Sequence, residues 1–381
     1  MNWFTGSSKQ NEAKKLIALL TDSNRRDSAA RELIALGEDS VAPLLSALAS
    51  QDADLIPLYE QILARIPSAT PELIQQLKTA HPLVRGRIAE VFFINKERAA
   101  IPALLEALKG EYFTVRSRAA VALANMDDPR VIPYLLPLLK DKEDEVRNAA
   151  CFSIAKFRDP ATFDEIANVL LDDPKIEVRQ VAARALGDTT HTAALPYLME
   201  ALRDSAWWFE REQSIGDLLA AIEKMGPAAV EPLIEALGDK EATVRKYAAI
   251  TLGRLDDSSV MEELGMALYD LHNEVGKAAA ESLVRFGSQA VDIFVEALRH
   301  PEASVRENVV RALSRIKDAR VVNLLIEALR DPDRGVQKQA LSALGELRDP
   351  RSLPTLQSIA SNRADREMSI LAKQLLETLK R

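Results

Sequence analysis

Few residues in this chain are equipped for chemistry, and their spacing closes off most reactions. The four histidines, His81, His191, His272 and His300, stand far apart, each in or near a turn, and none belongs to a His-Glu pair. No HExxH motif, glycine-rich phosphate loop or Gly-x-Ser-x-Gly elbow occurs. Cys151 is the single cysteine, so neither an internal disulfide nor a multi-cysteine metal site can form. What remains is the chemistry of recognition. Arginines recur at regular intervals, and aromatics cluster once, at Trp207, Trp208 and Phe209 in "SAWWFERE". No catalytic residue, metal or cofactor is expected.

Composition narrows the partners. Alanine and aliphatic residues dominate and only 14 of 381 residues are glycine, which favours helices. A net charge of −8 gives no global attraction to nucleic acid or to an anionic membrane. The start, "MNWFTGSSKQNEAKK", has no apolar signal core, and no run of about eighteen apolar residues follows. A cytoplasmic protein with no membrane contact is the expectation.

The elements that must position the arginines come from an internal repeat. "FTVRSRAAVALANMDDPRVIPYLLPLL" from Phe113 is matched by "IEVRQVAARALGDTTHTAALPYLMEAL" from Ile176 and "ATVRKYAAITLGRLDDSSVMEELGMAL" from Ala242. Each reads V-R-x-x-A-A-x-A-L, a turn, then a second apolar segment opening near a proline. The arginine position, here called the slot, falls at Arg26, Leu55, Arg85, Arg116, Arg147, Arg179, Ile215, Arg245, Gly276, Arg306 and Gln337. Spacings run from 29 to 32 residues with one of 36, between Arg179 and Ile215. Seventeen residues beyond the slots stand Pro43, Pro102, Pro133, Pro196, Pro232 and Pro354, suited to the first turn of a second helix. At about 100° per residue, the slot and positions 3, 4 and 7 beyond it share one apolar face, while positions 1, 2, 5 and 9 share the opposite, polar one. A two-helix unit this short cannot bury its own apolar face, so neighbours must stack. Cys151 falls four beyond a slot, in a column of alanines, and reads as a small packing residue.

The V-R-x-x-A-A-x-A-L helix with its proline-started partner resembles the HEAT-repeat superfamily, in particular the bacterial short repeats related to phycobilin-lyase HEAT-like proteins. The resemblance covers almost the whole chain. It implies an all-α, right-handed α-solenoid of about eleven two-helix repeats with a C-terminal capping helix, as a single domain over 1–381. Irregularities are expected near 50–80, where Pro57 predicts a late helix start or a kink, at an insertion near 204–214, and at a cap over 362–381. The resemblance also implies that the slot helix lines the concave groove and that each slot arginine pairs with an acid near the preceding turn. Asp141, Asp173, Asp239, Asp270 and Asp331 stand six before their slots. The slot arginines therefore read as structural, with the ladder interrupted at Leu55, Ile215 and Gly276. The absence of His-Glu pairs separates this chain from the di-iron deoxyhypusine hydroxylases of the same fold.

The groove columns then form a map. The first repeats present Asp27, Arg31, Glu60, Arg87, Glu90 and Arg118, a mixed set, and the middle ones Asn125, Asn148, Phe152, Lys156, Gln180, Arg184 and Asp188. The last repeats present Lys246, Tyr247, Arg254, Lys277, Arg285, Arg311, Arg315 and Lys338 against Glu281, Glu307 and Glu346, a basic strip on an acidic chain. Pairs at i,i+4, Glu281 with Arg285 and Glu307 with Arg311, would neutralise part of it. Trp207 and Trp208 lie in the inserted segment, where they either fill an irregular junction or offer a binding anchor.

These readings point to a non-enzymatic protein-binding scaffold whose groove holds an acidic segment. The expected contact residues are Trp207, Trp208, Phe152, Tyr247, Arg254, Lys277, Arg285, Arg311 and Arg315. A bilin lyase or pigment-protein chaperone follows from the resemblance alone, and nucleic-acid binding is disfavoured by the net charge.

Overall fold

The computed structural model describes residues 3–204, 207 and 212–379. Among these the chain is all-α, a succession of short helices without strands, and its architecture is an α-solenoid. By internal contacts it divides into two compact units, Met1–Tyr197 and Leu198–Arg381.

The repeat geometry follows from a few recurring residues. In the period beginning at Arg245, the slot helix runs Ala242–Arg254 and the second helix Met261–Ala267. Val244, Ala248, Ala249 and Leu252, the apolar face of the slot helix, are fully buried. The same columns are buried as Val115, Ala119, Ala120 and Leu123, and as Val146, Ala150, Cys151 and Ile154. Each Val or Leu so buried contributes about 1.5–3 kcal/mol, and the alanines between them let helices approach closely. Where approach is tightest, even alanine is too large. A Cβ on Gly253 would stand 2.4 Å from the Cβ of Ser282 on the next slot helix, whose hydroxyl donates to the Ala249 carbonyl at 2.9 Å.

In nine of the eleven repeats the internal turn is set by a residue in the left-handed region, eleven beyond the slot: Lys96, Asp127, Arg158, Thr190, Asp256 and Arg348, or Gly37, Gly226 and Gly287. This is the backbone reversal that ends many helices. After the six non-glycine residues, the next side chain (Glu97, Asp128, Asp159, His191, Asp257 or Asp349) accepts a hydrogen bond from the N–H two residues on. That bond opens a single 3-10 turn, and the second helix follows with Pro102, Pro133 or Pro354 in its first turn. Pro43 departs from the expectation. After Gly37 the second helix starts at once, as Glu38–Ala47, so Pro43 falls inside it.

The ends and the irregular repeat are explained locally. Pro57 sits in the first turn of Ile56–Ala64, so that slot helix starts late, beyond its slot Leu55, and is not kinked. At the C-terminus Arg366–Leu379 lays Met368 and Ala372 on Leu341, Leu356 and Ala360. At the other end Trp3–Leu19 packs on the first two repeat helices with Ala13 and Leu16 buried, an N-terminal helix the repeat pattern does not predict.

Candidate functional site: a basic row on the slot helices

Most slot arginines are fixed in place. Arg116, Arg147, Arg245 and Arg306 each make a two-pronged bond to an aspartate, at 2.8 and 2.8, 2.6 and 3.0, 2.6 and 2.9, and 2.8 and 2.7 Å. The remaining guanidinium nitrogen donates to the carbonyls five and six residues back, as Arg147 does to Asp141 at 3.0 Å and Lys142 at 3.3 Å. The partners correct the expected pairing. Each aspartate lies six before one slot but binds the arginine of the preceding repeat: Arg116 takes Asp141, Arg147 takes Asp173, Arg245 takes Asp270 and Arg306 takes Asp331. Geometry requires this, because a slot side chain reaches back over its own turn with one nitrogen and across to the next turn with the other two. Hydrogen bonding to Asp270 and Asp331 holds Arg245 and Arg306 above the ordinary guanidinium range. Burial pushes Asp141 up, but its bonds from Arg116 and the Glu143 N–H outweigh that and hold it below the usual carboxylate range.

One of the interruptions is compensated. Ile215 cannot reach Asp239, and Arg203 takes its place at 3.0 Å. Gly276 has no room for an arginine, since even a Cβ would stand 2.8 Å from the Leu268 carbonyl. Gln337 donates to the Asp331 carbonyl at 2.6 Å and accepts from Arg334 at 2.8 Å.

The opposite face of the same helices in the C-terminal unit is different. Arg254, Arg285, Arg311 and Arg315 are exposed and Lys277 is half-buried. Among the described residues, none of these five side chains makes a hydrogen bond or ion pair. The expected Glu281–Arg285 and Glu307–Arg311 pairs do not form. Glu307 turns instead toward the next slot helix, its carboxylate over Gly335, where a Cβ would collide with it. That places negative charge at the N-terminal end of Arg334–Leu347, the favourable end of the helix dipole. Lys338 leaves the strip, being paired with Glu367 at 2.5 Å, and Tyr247 carries the Lys246 ammonium 5.6 Å from its ring centre.

The other expected contact residues fall elsewhere. Phe152 is 56% exposed in the N-terminal unit, in a depression of about 740 Å³ with Asn148, Lys156, Arg184 and Asp188. The polar columns of neighbouring slot helices thus share one surface, and Lys156 is already bonded to Asn125 at 2.5 Å. Trp207 is fully buried, so it packs and does not serve as an exposed anchor. Trp208 and Phe209 lie outside the described residues. Glu60, mapped to the groove, is 6% exposed, and its carboxyl is pushed up to about 7 by burial and then by Glu90, with Arg118 and Arg87 opposing. The Cys151 thiol is pushed up to about 12 by burial, which fits a packing residue. The four histidines stand at helix entrances or turns, and His81 and His191 cap the N–H two residues on through Nδ1. Among the described residues no group of three or more His, Cys, Asp or Glu side chains could hold a metal ion, and no helix is long and apolar enough to cross a membrane.

Stacked helix pairs, locked by an arginine–aspartate ladder on one side and presenting a variable face on the other, define a repeat solenoid. The HEAT-repeat family matches residues 70–151, 135–218, 230–303 and 291–377, more than half of the chain, and the chain belongs to that family. No curated protein matches it by sequence. Among solved structures it is similar to a Kap121p mutant, at 13% identity and TM-score 0.62, over 97% of this chain and 50% of that one. It is also similar to Kap121p bound to Pho4p (14%, TM-score 0.60, 100% and 50%) and to the karyopherin Kap121p bound to the extreme C-terminus of the phosphatase Cdc14p (14%, TM-score 0.60, 98% and 50%). The chain spans about half the length of these structures, and at such identities they share a fold with it.

Proposed function

We propose that this chain is a non-enzymatic scaffold whose C-terminal unit holds an acidic segment of a partner protein. The carrying observation is the contrast along single helices. Arg245 is tied to Asp270 and Arg306 to Asp331, while Arg254, Arg311 and Arg315 on the polar faces of the same repeats stand exposed without an intramolecular partner among the described residues. Unpaired guanidiniums on rigid elements keep their donors for a ligand and lose little freedom on binding it. Solenoids use such extended surfaces for partners, and Kap121p has been solved holding protein segments. Phe152 offers the N-terminal unit a separate apolar contact.

The test is affinity capture from cell extract beside a variant with Arg254, Arg285, Arg311 and Arg315 all changed to Glu. A protein retained by the wild type, released by raising salt and lost by the variant is the expected result. Partners retained equally by both would overturn the assignment of the basic row, and retention of nucleic acid alone would overturn the protein-binding reading.

A further inference from the structure

Arg254, Arg285 and Arg315 occupy the same place, nine beyond the slot, in three consecutive repeats. Their helices pack in series, Ala242–Arg254 on Asn273–Leu283 and that on Ala303–Leu313. Each arginine stands at or just past the end of its slot helix. The helix dipole favours a cation there. That cannot be the whole reason, because the same column in the seven earlier repeats holds Lys156 and Lys224 but also Ala35, Ala64, Ile94, Asn125 and Asp188. The repeat before them holds Lys224 and the repeat after them Glu346, so the three arginines stand between a lysine and a glutamate.

Packed helices lie about 8–10 Å apart, which sets the spacing of the row. Extended ligands can be compared with that interval. A β-strand returns a side chain to the same face every two residues, about 6.8 Å, too short by about a quarter. A polyproline II helix returns every three residues, about 9.3 Å, and matches. An α-helix approaches the interval only at every seventh residue, about 10.5 Å, and needs about fifteen residues to reach three rungs. Such a peptide is itself marginally helical in water, whereas seven residues of polyproline II reach all three and are preorganised when rich in proline.

Resting on the acidic-segment reading above, we infer that the ligand is a polyproline II segment with carboxylates at every third residue, Glu-x-x-Glu-x-x-Glu, and a basic residue at the fourth rung to face Glu346.

The test is fluorescence anisotropy with the full chain and labelled peptides of equal charge. EPPEPPEPPK and its reverse, KPPEPPEPPE, cover both chain directions. A peptide with glutamates two apart and an alanine-based helical peptide with glutamates seven apart are the comparisons. One of the three-spaced peptides is expected to bind at least about tenfold more tightly than either comparison, and Arg285→Glu, the central rung, to remove that preference. Arg315→Glu is the second variant should the first disturb folding, which circular dichroism monitors. Glu346→Lys is expected to switch the preference toward EPPEPPEPPE. Equal binding of all spacings, still lost in Arg285→Glu, would sink the register while leaving the acidic-segment reading intact. Tighter binding of the seven-spaced helix would sink it in favour of a helical ligand. Failure of every acidic peptide to bind would sink both.

Discussion

Glu60 is the residue whose environment most contradicts its position in the pattern. Helical phase places it in the polar column, yet it is 6% exposed, with Glu90 beside it and Arg87 and Arg118 opposing. Arg87 donates to the Leu48 and Ser50 carbonyls and opposes the rise through its charge alone. The carboxyl is pushed up to about 7 from an ordinary 4.5, so the fold favours its protonated form. Its stabilising contribution is therefore complete below about pH 4.5 and lost as pH rises through 7. Glu60→Gln should stabilise the protein at pH 8 by on the order of 2 kcal/mol, with the gain fading toward pH 5. Urea midpoints at the two pH values decide it, and a gain independent of pH would remove the argument. Sequence could not show this burial. The column rule describes a regular helix, and this one begins late at Ile56 behind Pro57.

At the scale of the element, the arginine–aspartate pairs differ in burial, and so should their energies. The Arg147 and Asp173 side chains are 10% and 4% exposed, whereas Arg203 is 48% exposed over Asp239. Removing one partner of a buried pair strands the other charge, so Arg147→Ala should cost about 3 kcal/mol or more. Arg203→Ala should cost less than about 1 kcal/mol, since water replaces the lost partner. Chemical denaturation of both variants checks the ranking, and equal costs would contradict it. The ladder's residues were legible in the sequence as the slot arginines and the aspartates six before them. Their pairing was not, because the bond runs to the following turn, and only stacking decides which turn an arginine meets. The left-handed residues were hidden for another reason: Lys96, Arg158 and Thr190 carry no marker of that conformation, unlike Gly37. The basic row was visible as composition. Its freedom from intrahelical pairing was not, because Glu307 prefers the start of the next helix.

Over the whole molecule, stability is built from neighbour contacts, as expected of stacked repeats. Arg147→Ala and Arg306→Ala fall in different compact units and share no partner, so their costs should add to within about 0.5 kcal/mol. Arg116→Ala and Arg147→Ala should not add, because both side chains bond Asp141, one at its carboxylate and the other at its carbonyl. Denaturation of the two double variants separates the cases, and additivity in the second would deny the shared residue its role. The eleven-fold repeat was readable from spacing and the proline column. The division at Tyr197 and Leu198 was signalled only by the long period that follows Arg179.

The forward direction of the ladder also bears on how such a chain can change its length. Arg116, Arg147, Arg245 and Arg306 each take the carboxylate of the period after them, not that of their own. If recombination excised residues 117–147, Arg116 would meet Asp173 in the relation Arg147 now has to it, and duplicating that stretch would likewise leave no charge stranded. Whole periods of this kind are interchangeable parts at the level of the gene, while a cut of any other size leaves an arginine facing the wrong turn.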